Sequence, residues 1–275
     1  MSGGTRPGER MHVMVDTTET GLPRAVAVAW GMQETPQRGP SRGLSHERIV
    51  AAAVRIADEE GLAAVTMQAV AKSLGFTTMS LYRYVSGKEE MLQLMGDAAA
   101  RLSEKVTLDP DWRQALRQWA ALIREAWRAH PWLREIPRGQ VSVLMPNQMR
   151  LADLGLQALE SLPLTRDDKI GVILVVSQHV ASMTELELAL AQEGQLTVTE
   201  EGAAMLKEVI TEERYPHVAP LYQAGDYSPG STASPPATDE PPVENVEAEY
   251  DLGLDLIIAG LESRAGGAAE TATRH

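Results

Sequence analysis

Residues 66–90 read TMQAVAKSLGFTTMSLYRYVSGKEE, and the side chains with chemistry to offer cluster at the centre of that stretch. Thr77, Thr78, Met79 and Ser80 follow a glycine turn and open a short helix. An α-helix fits the major groove of DNA, and its first turn carries the side chains that reach base edges. Threonine and serine hydroxyls can give or accept hydrogen bonds there, and Met79 can pack on a thymine methyl. With Leu81 turned inward, Tyr82 and Arg83 point outward or sideways, within reach of phosphate. Lys88 falls in the first turn of the next helix, where free backbone N–H groups and the helix dipole also favour a phosphate. The dull alternative is a plain helical bundle in which these hydroxyls serve only as caps.

Positioning those residues requires a small set of helices. Ser45 is a good N-cap for a helix over 45–60, with Ile49, Ala52, Ala53 and Ile56 as its apolar stripe and Gly61 ending it. Thr66 caps a second helix, with Val70 and Leu74 on one face. Gly75 can take the left-handed conformation of a tight turn, with Phe76 expected to plug that turn. Thr77 caps the third helix. Ser86 with Glu89 three residues later reads as a capping box for a fourth helix running to about residue 105. Before this block, residues 1–44 form a leader expected to be partly flexible, with a short helix over 22–30. Arg38 and Arg42 are candidates for an arm in a minor groove.

The remainder is helical in pattern. Trp112, Leu116, Trp119, Ile123 and Trp127 follow the spacing of one buried helix face. Further helices are expected over 149–162, 166–192, 199–214 and 245–264. The middle of the second of these, IGVILVVSQHVASM, is apolar on most sides and so needs partners on most sides. Residues 228–242, rich in Pro, Ser and Thr, are expected to be a disordered loop, and 266–275 a disordered tail. No internal repeat and no convincing strand emerges.

Composition sets further bounds. The chain has 275 residues, 44% of them apolar, with no cysteine, five Trp, six Tyr and one Phe. Disulfide scaffolds and thiolate metal sites are excluded. A cytoplasmic location is expected. The sequence shows no secretory signal, and no uninterrupted apolar run of the ~18 residues that a membrane helix needs. Net charge is −13, but unevenly spread: residues 41–105 hold eight basic and eight acidic side chains, while 106–275 hold 13 basic and 26 acidic. A DNA-contacting head need be basic only where it meets phosphate, and an acidic remainder would face away. The motifs of metalloproteases, serine hydrolases and nucleotide-binding enzymes are all missing, so no catalytic residue, cofactor or metal is expected. A helical adaptor for a protein partner, without DNA affinity, is the alternative from another class.

At this point the residues become recognisable. The opening IVAAAVRIADEEGLAAVTM, then AVAKSLGF, SLYRYV and SGKEEML, occur in the order seen in the DNA-binding domain of the tetracycline-repressor (TetR) family, which 49–95 resembles. More loosely, the rest is similar to the ligand-binding domain of the tetracycline-repressor subgroup. The resemblance implies an all-α fold, with a three-helix helix-turn-helix domain over 45–92 and a helical ligand-binding and dimerisation domain over 93–265. It implies a homodimer joined through the long helix and the last helix, a palindromic double-stranded operator, and release by a small effector. It also implies DNA contacts by Gln68, Thr78, Met79, Ser80, Tyr82 and Tyr84, with Tyr82 and Lys88 on phosphate.

Candidates for the effector pocket are Trp119, Trp127, Met145, Gln148, Met149, Gln178, His179, Met183 and Glu187. A pocket in such a bundle would be lined by Leu, Met, Trp and Val, which suits a small, largely apolar molecule. Gln178 and His179 interrupt an apolar helix and need hydrogen-bond partners if buried. Glu187 lies two turns beyond His179 on a similar face. In the tetracycline-repressor subgroup a His and a Glu at that spacing sit beside a magnesium–antibiotic chelate. This chain departs from that pattern, with Glu104 in place of the drug-contacting His and no His near 136–139. Tetracycline and metal are therefore not expected here.

Overall fold

The computed structural model describes residues 17–19, 21–32, 43–103, 105–137, 139–193, 199–224 and 243–273. The expected disordered loop at 228–242 and the proposed arm residues Arg38 and Arg42 lie outside them. Eleven α-helices follow one another among the described residues: α1 (Arg24–Ala29), α2 (His46–Glu60), α3 (Met67–Leu74), α4 (Thr78–Tyr82), α5 (Lys88–Ala99), α6 (Trp112–Ala129), α7 (Pro146–Ala158), α8 (Arg166–Glu193), α9 (Glu200–Val209), α10 (Ala219–Ala224) and α11 (Val243–Thr273). The only extended pairing among the described residues is an isolated bridge between Thr17 and Pro23. The all-α expectation holds.

The helices gather into two compact units. One contains the described residues up to 103 together with 132–153. The other contains 105–131 and the described residues from 154 onward.

The first unit is larger than the helix-turn-helix alone. Its core joins Ile49, Ala53, Val65, Val70, Leu81 and Val85 to Met91 and Met95 of α5, and to Trp132 and Met145. Ser45 caps α2 as its sequence suggests, accepting a hydrogen bond from the Arg48 N–H. The leader helix also belongs here. Ala25, Val26, Ala27 and Val28 are buried, and α1 packs on α5. Three expectations need correction. Phe76 is exposed rather than a plug, because Val65, Val70, Leu81 and Val85 already fill the interior. The fourth helix stops at Ala99, several residues early, with no glycine or proline to mark the end. The capping partner of Ser86 is Glu90, not Glu89: Glu90 Oε2 accepts from the Ser86 N–H at 2.6 Å and from its hydroxyl at 2.5 Å.

In the second unit α8 packs against both α6 and α11. Leu116, Trp119, Ile123 and Trp127 form the buried face of α6, while Trp112 is half-buried beneath the Arg113 guanidinium, 4.7 Å from its ring. Gly155 is what lets α7 approach: a Cβ there would stand 2.6 Å from Cζ2 of Trp119. Helix α9 ends at Val209, short of the expected 214, and α11 continues to Thr273, into the stretch expected to be a tail. Alanine-rich sequence favours that continuation despite its glycines. The apolar middle of α8 is not enclosed within the chain; Ile170, Leu174 and Val175 are exposed. Residues 166–191 are also long and apolar enough to cross a membrane by length and composition. That corrects the sequence expectation, which counted uninterrupted apolar runs and so overlooked a helix whose polar residues are scattered.

Candidate nucleic-acid interface

The helix-turn-helix is built from local signals that agree with one another. Thr66 caps α3 by accepting from the Ala69 N–H at 3.0 Å. Gly75 closes α3 at φ 75°, in the left-handed region. The Phe76 N–H reaches the Ala71 carbonyl at 2.9 Å and the Gly75 N–H reaches that of Lys72 at 3.1 Å. This is a Schellman closure, which only a residue tolerant of positive φ makes cheaply. Thr77 then caps α4, accepting from the Ser80 N–H at 3.3 Å, and its hydroxyl lies 2.9 Å from the Ser80 hydroxyl.

That capping divides the expected base-reading residues. Thr77 and Ser80 have hydroxyls engaged with each other, whereas Met79 is 74% exposed and Thr78 half-buried. Tyr82, Arg83, Gln68 and Lys88 are exposed. Tyr84 is half-buried, its ring edge-on to that of His46 at 5.5 Å. Its carbonyl accepts from Arg24 Nη2 at 3.2 Å and lies 2.9 Å from His46 Nε2. Leu81 and Val85, both fully buried, hold α4 against the core. The surface left free around α4 can present a methionine, a tyrosine hydroxyl, a guanidinium and an ammonium to a groove and its phosphates.

Two side-chain supports of this unit lie outside the sequence motifs. Arg24 of α1 places its Nε 3.2 Å from both oxygens of Glu90, which is itself only 6% exposed. Asp97 of α5 accepts from the backbone N–H groups of Asn147 (2.9 Å) and Gln148 (3.2 Å), and from the Asn147 side-chain amide (2.8 Å). Burial pushes the Asp97 carboxyl above its ordinary value, against the lowering effect of those donors. The first pair is 66 residues apart and has no local signature. The second had one: α7 starts with Pro146 after Met145, which has no oxygen with which to cap it.

The effector candidates fall on both units. In the first, Met145 is buried in the core, Gln148 is half-buried with its amide 3.4 Å from the Gly96 carbonyl, and Met149 is exposed. In the second, Trp119 and Trp127 are buried on α6 and Met183 is half-buried. Gln178 is exposed, so it needs no buried hydrogen-bond partner. His179 stacks on the Tyr250 ring at 5.6 Å, and its Nε2 lies 2.9 Å from the Tyr250 carbonyl. Glu187 accepts from Arg124 Nη2 and Arg128 Nε, both at 2.9 Å. Glu247 of α11 closes the ring from the other side, accepting from Arg124 at 2.7 Å and Arg128 at 3.3 Å. Burial pulls the Arg124 pKa down, but its hydrogen bonds to Glu247 and Glu187 more than offset this, and the net shift is upward. Its guanidinium also lies over the Tyr250 ring at 4.0 Å. A groove of about 330 Å³, lined by Leu206, Val209, Ile210, Arg214, Tyr215 and Val218, shares no residue with the candidates.

An all-α chain with a capped helix-turn-helix, joined to a larger set of amphipathic helices, defines a DNA-binding regulator with a second helical domain. Residues 49–95 match the model of the tetR family of bacterial regulatory proteins, and 107–265 match the tetracyclin repressor-like C-terminal domain. The chain belongs to the TetR family of transcriptional regulators and is not an enzyme. It is similar to the HTH-type transcriptional repressor DrrR1 of Streptomyces coeruleorubidus, 36% identical over 73% of this chain and 77% of that protein. An HTH-type transcriptional regulator of Saccharopolyspora erythraea is 25% identical over 91% of this chain and 96% of its own. Among solved structures, ActR of Streptomyces coelicolor in complex with actinorhodin is 25% identical with a TM-score of 0.61, covering 82% of this chain and 98% of that one.

Proposed function

We propose that the protein is a repressor that binds a palindromic operator as a homodimer and is released by a small, largely apolar effector. The observation that carries this reading is the exposed set on one helix-turn-helix: Gln68, Met79, Tyr82, Arg83 and Lys88, with no acidic side chain on α3 or α4. Thr78 and Met79 meet base edges, while Tyr82, Arg83 and Lys88 hold phosphates. The similar protein DrrR1 is named a repressor, and ActR has been solved with a small molecule bound. Both support repression relieved by a ligand.

The second copy is the partner that the exposed apolar rows of α8 and α11 call for. Leu174 and Val175 on α8, and Leu252 and Leu256 on α11, are each more than half exposed. A membrane is the competing cover for α8. The polar side chains of Gln178, Ser182 and Glu185 are exposed along the same helix, and a two-fold protein contact accommodates them better than lipid does. Gln178 accordingly moves from the effector pocket to this contact.

The effector reading keeps Trp127, His179, Met183 and Glu187 as contacts. An effector shifts the equilibrium only if it binds the DNA-incompetent state more tightly. His179→Ala and Glu187→Ala should therefore impair induction while sparing operator binding, and equal induction by both variants would move the pocket elsewhere. The experiment that tests the whole reading is selection of bound duplexes from a random pool, with the stoichiometry of the selected complex. An enriched palindrome bound by two chains is the expected result. No enrichment from folded dimer at low salt would favour a protein-interaction adaptor.

A further inference from the structure

The family match begins at residue 49, yet α1, twenty residues ahead of it, is built into the helix-turn-helix unit. We propose that α1 is a positioning element of the DNA-contacting surface, with Arg24 setting the corner between α4 and α5. This inference rests on the DNA contacts assigned above.

The corner needs an external brace. Helix α4 has only five residues, far below the length at which a helix is stable by itself, so its orientation depends on tertiary contacts. Leu81 and Val85 fix its depth in the core. Its exit is held by Arg24, whose Nη2 donates to the Tyr84 carbonyl while Nε faces both oxygens of Glu90 at 3.2 Å. A single side chain thus links the last turn before the corner to the first turn after it. Glu90 in turn takes the Ser86 N–H and hydroxyl, which closes the loop over the three residues between them.

Charge makes the brace matter for DNA. Glu90 is a buried carboxylate two residues from Lys88, at the helix start assigned to a phosphate. Paired with Arg24 it is neutralised. Unpaired it would oppose the phosphate and leave a charge without its partner, which is strongly unfavourable in a buried site. Arg24 itself is held from behind. Ala25, Val26 and Val28 lie in the core cluster, and at the far end of α1 the Trp30 indole N–H donates to the Leu144 carbonyl at 2.8 Å. Arg24 does not contact DNA in this reading; it acts through Tyr84, Ser86 and Glu90.

The test uses the full chain and a duplex enriched in the selection described above. Affinity is measured against salt for wild type, Arg24→Gln, Arg24→Lys, Lys88→Ala and the double variant Arg24→Gln with Glu90→Gln, at a temperature where all are folded by circular dichroism. Hydrogen exchange of the 81–88 amides is followed without DNA. Arg24→Gln should lose about tenfold in operator affinity, the equivalent of one charged hydrogen bond. Its salt slope should not change, whereas that of Lys88→Ala should flatten by about one unit. The double variant should recover part of the loss, because no unpaired carboxylate remains. The 81–88 amides should exchange faster in Arg24→Gln. Arg24→Lys keeps the charge without the two-pronged geometry and should fall between, which preserves the test if Arg24→Gln does not fold. Operator affinity within about twofold of wild type in Arg24→Gln would make α1 a mere cover and overturn the proposal. A slope reduced by about one unit would make Arg24 a phosphate ligand and overturn it as well. If wild type enriches no duplex, the operator reading fails by itself, and the exchange rates still decide whether Arg24 holds the corner.

Discussion

The Asp97 carboxylate caps a helix that is not its own: it lies on α5 and accepts both the first free N–H groups of α7 and the Asn147 amide. Met145 precedes α7 and has no side-chain oxygen, so the cap is supplied from 50 residues away. Asp97→Ala should destabilise the protein by about 1–3 kcal/mol, the cost of leaving buried donors unsatisfied. Asp97→Asn, which retains one acceptor oxygen, should lose less. Because burial raises the Asp97 pKa, the protonated form is favoured in the folded state. The associated stability is fully present below the unfolded value and is lost as pH rises through the folded one. The stability difference between wild type and Asp97→Asn should therefore move toward wild type as pH falls through that window. Urea unfolding at a series of pH values measures it, and a pH-independent difference would contradict the assignment.

The Arg124–Glu187–Arg128–Glu247 ring predicts the opposite pH sign. The hydrogen bond from Arg124, ahead of the opposing effect of burial, holds the Glu247 carboxyl below its ordinary value. That contribution is present above the unfolded value and lost as pH falls through the folded one. Arg124→Ala should cost about 3 kcal/mol, at the low end for breaking a buried pair because Glu247 is half exposed. Replacing Arg124 by Met and Glu187 by Leu together should cost less than Arg124→Ala, since no buried charge is stranded. A double variant less stable than the single one would show that the ring itself, not charge compensation, dominates.

Gly155→Ala tests the contact between α7 and α6. A methyl there would meet Cζ2 and Cε2 of Trp119 at 2.6 and 2.7 Å and Ile173 at 3.0 Å. Trp119 is fully buried and has little room to move. Overpacking of this kind costs about 1–3 kcal/mol. Thermal unfolding should show the loss, and near-ultraviolet circular dichroism should show the displaced indole. Wild-type values for both would mean that α7 does not pack on Trp119 in this way.

Much of the helix-turn-helix is legible in the sequence because its signals are local. Ser45, Thr66 and Thr77 cap the helices that follow them, and Gly75 takes the left-handed turn that its type permits. What local signals do not carry is a partner distant in sequence. The spacing of a capping box pairs Ser86 with Glu89, but Glu90, held by Arg24 from 66 residues upstream, takes that place. His179 and Glu187 stand out in sequence as polar residues in an apolar helix, but periodicity does not reveal their intrachain partners Tyr250, Arg124 and Arg128. Gln178 and His179 are adjacent in sequence, but neighbours on a helix point about 100° apart, and here Gln178 is exposed while His179 is half-buried.

That angular argument also leads to the last prediction. On α8 the residues Gly171, Leu174, Val175, Gln178 and Ser182 are exposed at helical spacing, and on α11 the residues Leu252, Leu256 and Ala259 are exposed in the same way. Leu256 is 66% exposed, while Leu254, Ile258 and Leu261 of the same helix are buried. Two faces of one helix are thus apolar, and the chain itself covers only one. If a second copy covers the other, Leu174→Glu and Leu256→Glu should each shift the protein to monomer by sedimentation. Circular dichroism should be retained, because neither side chain supports the core of its own unit. Operator affinity should fall with dimerisation, since a palindrome is read by two copies held at fixed spacing. Variants that remain dimeric with unchanged affinity would place the subunit contact elsewhere.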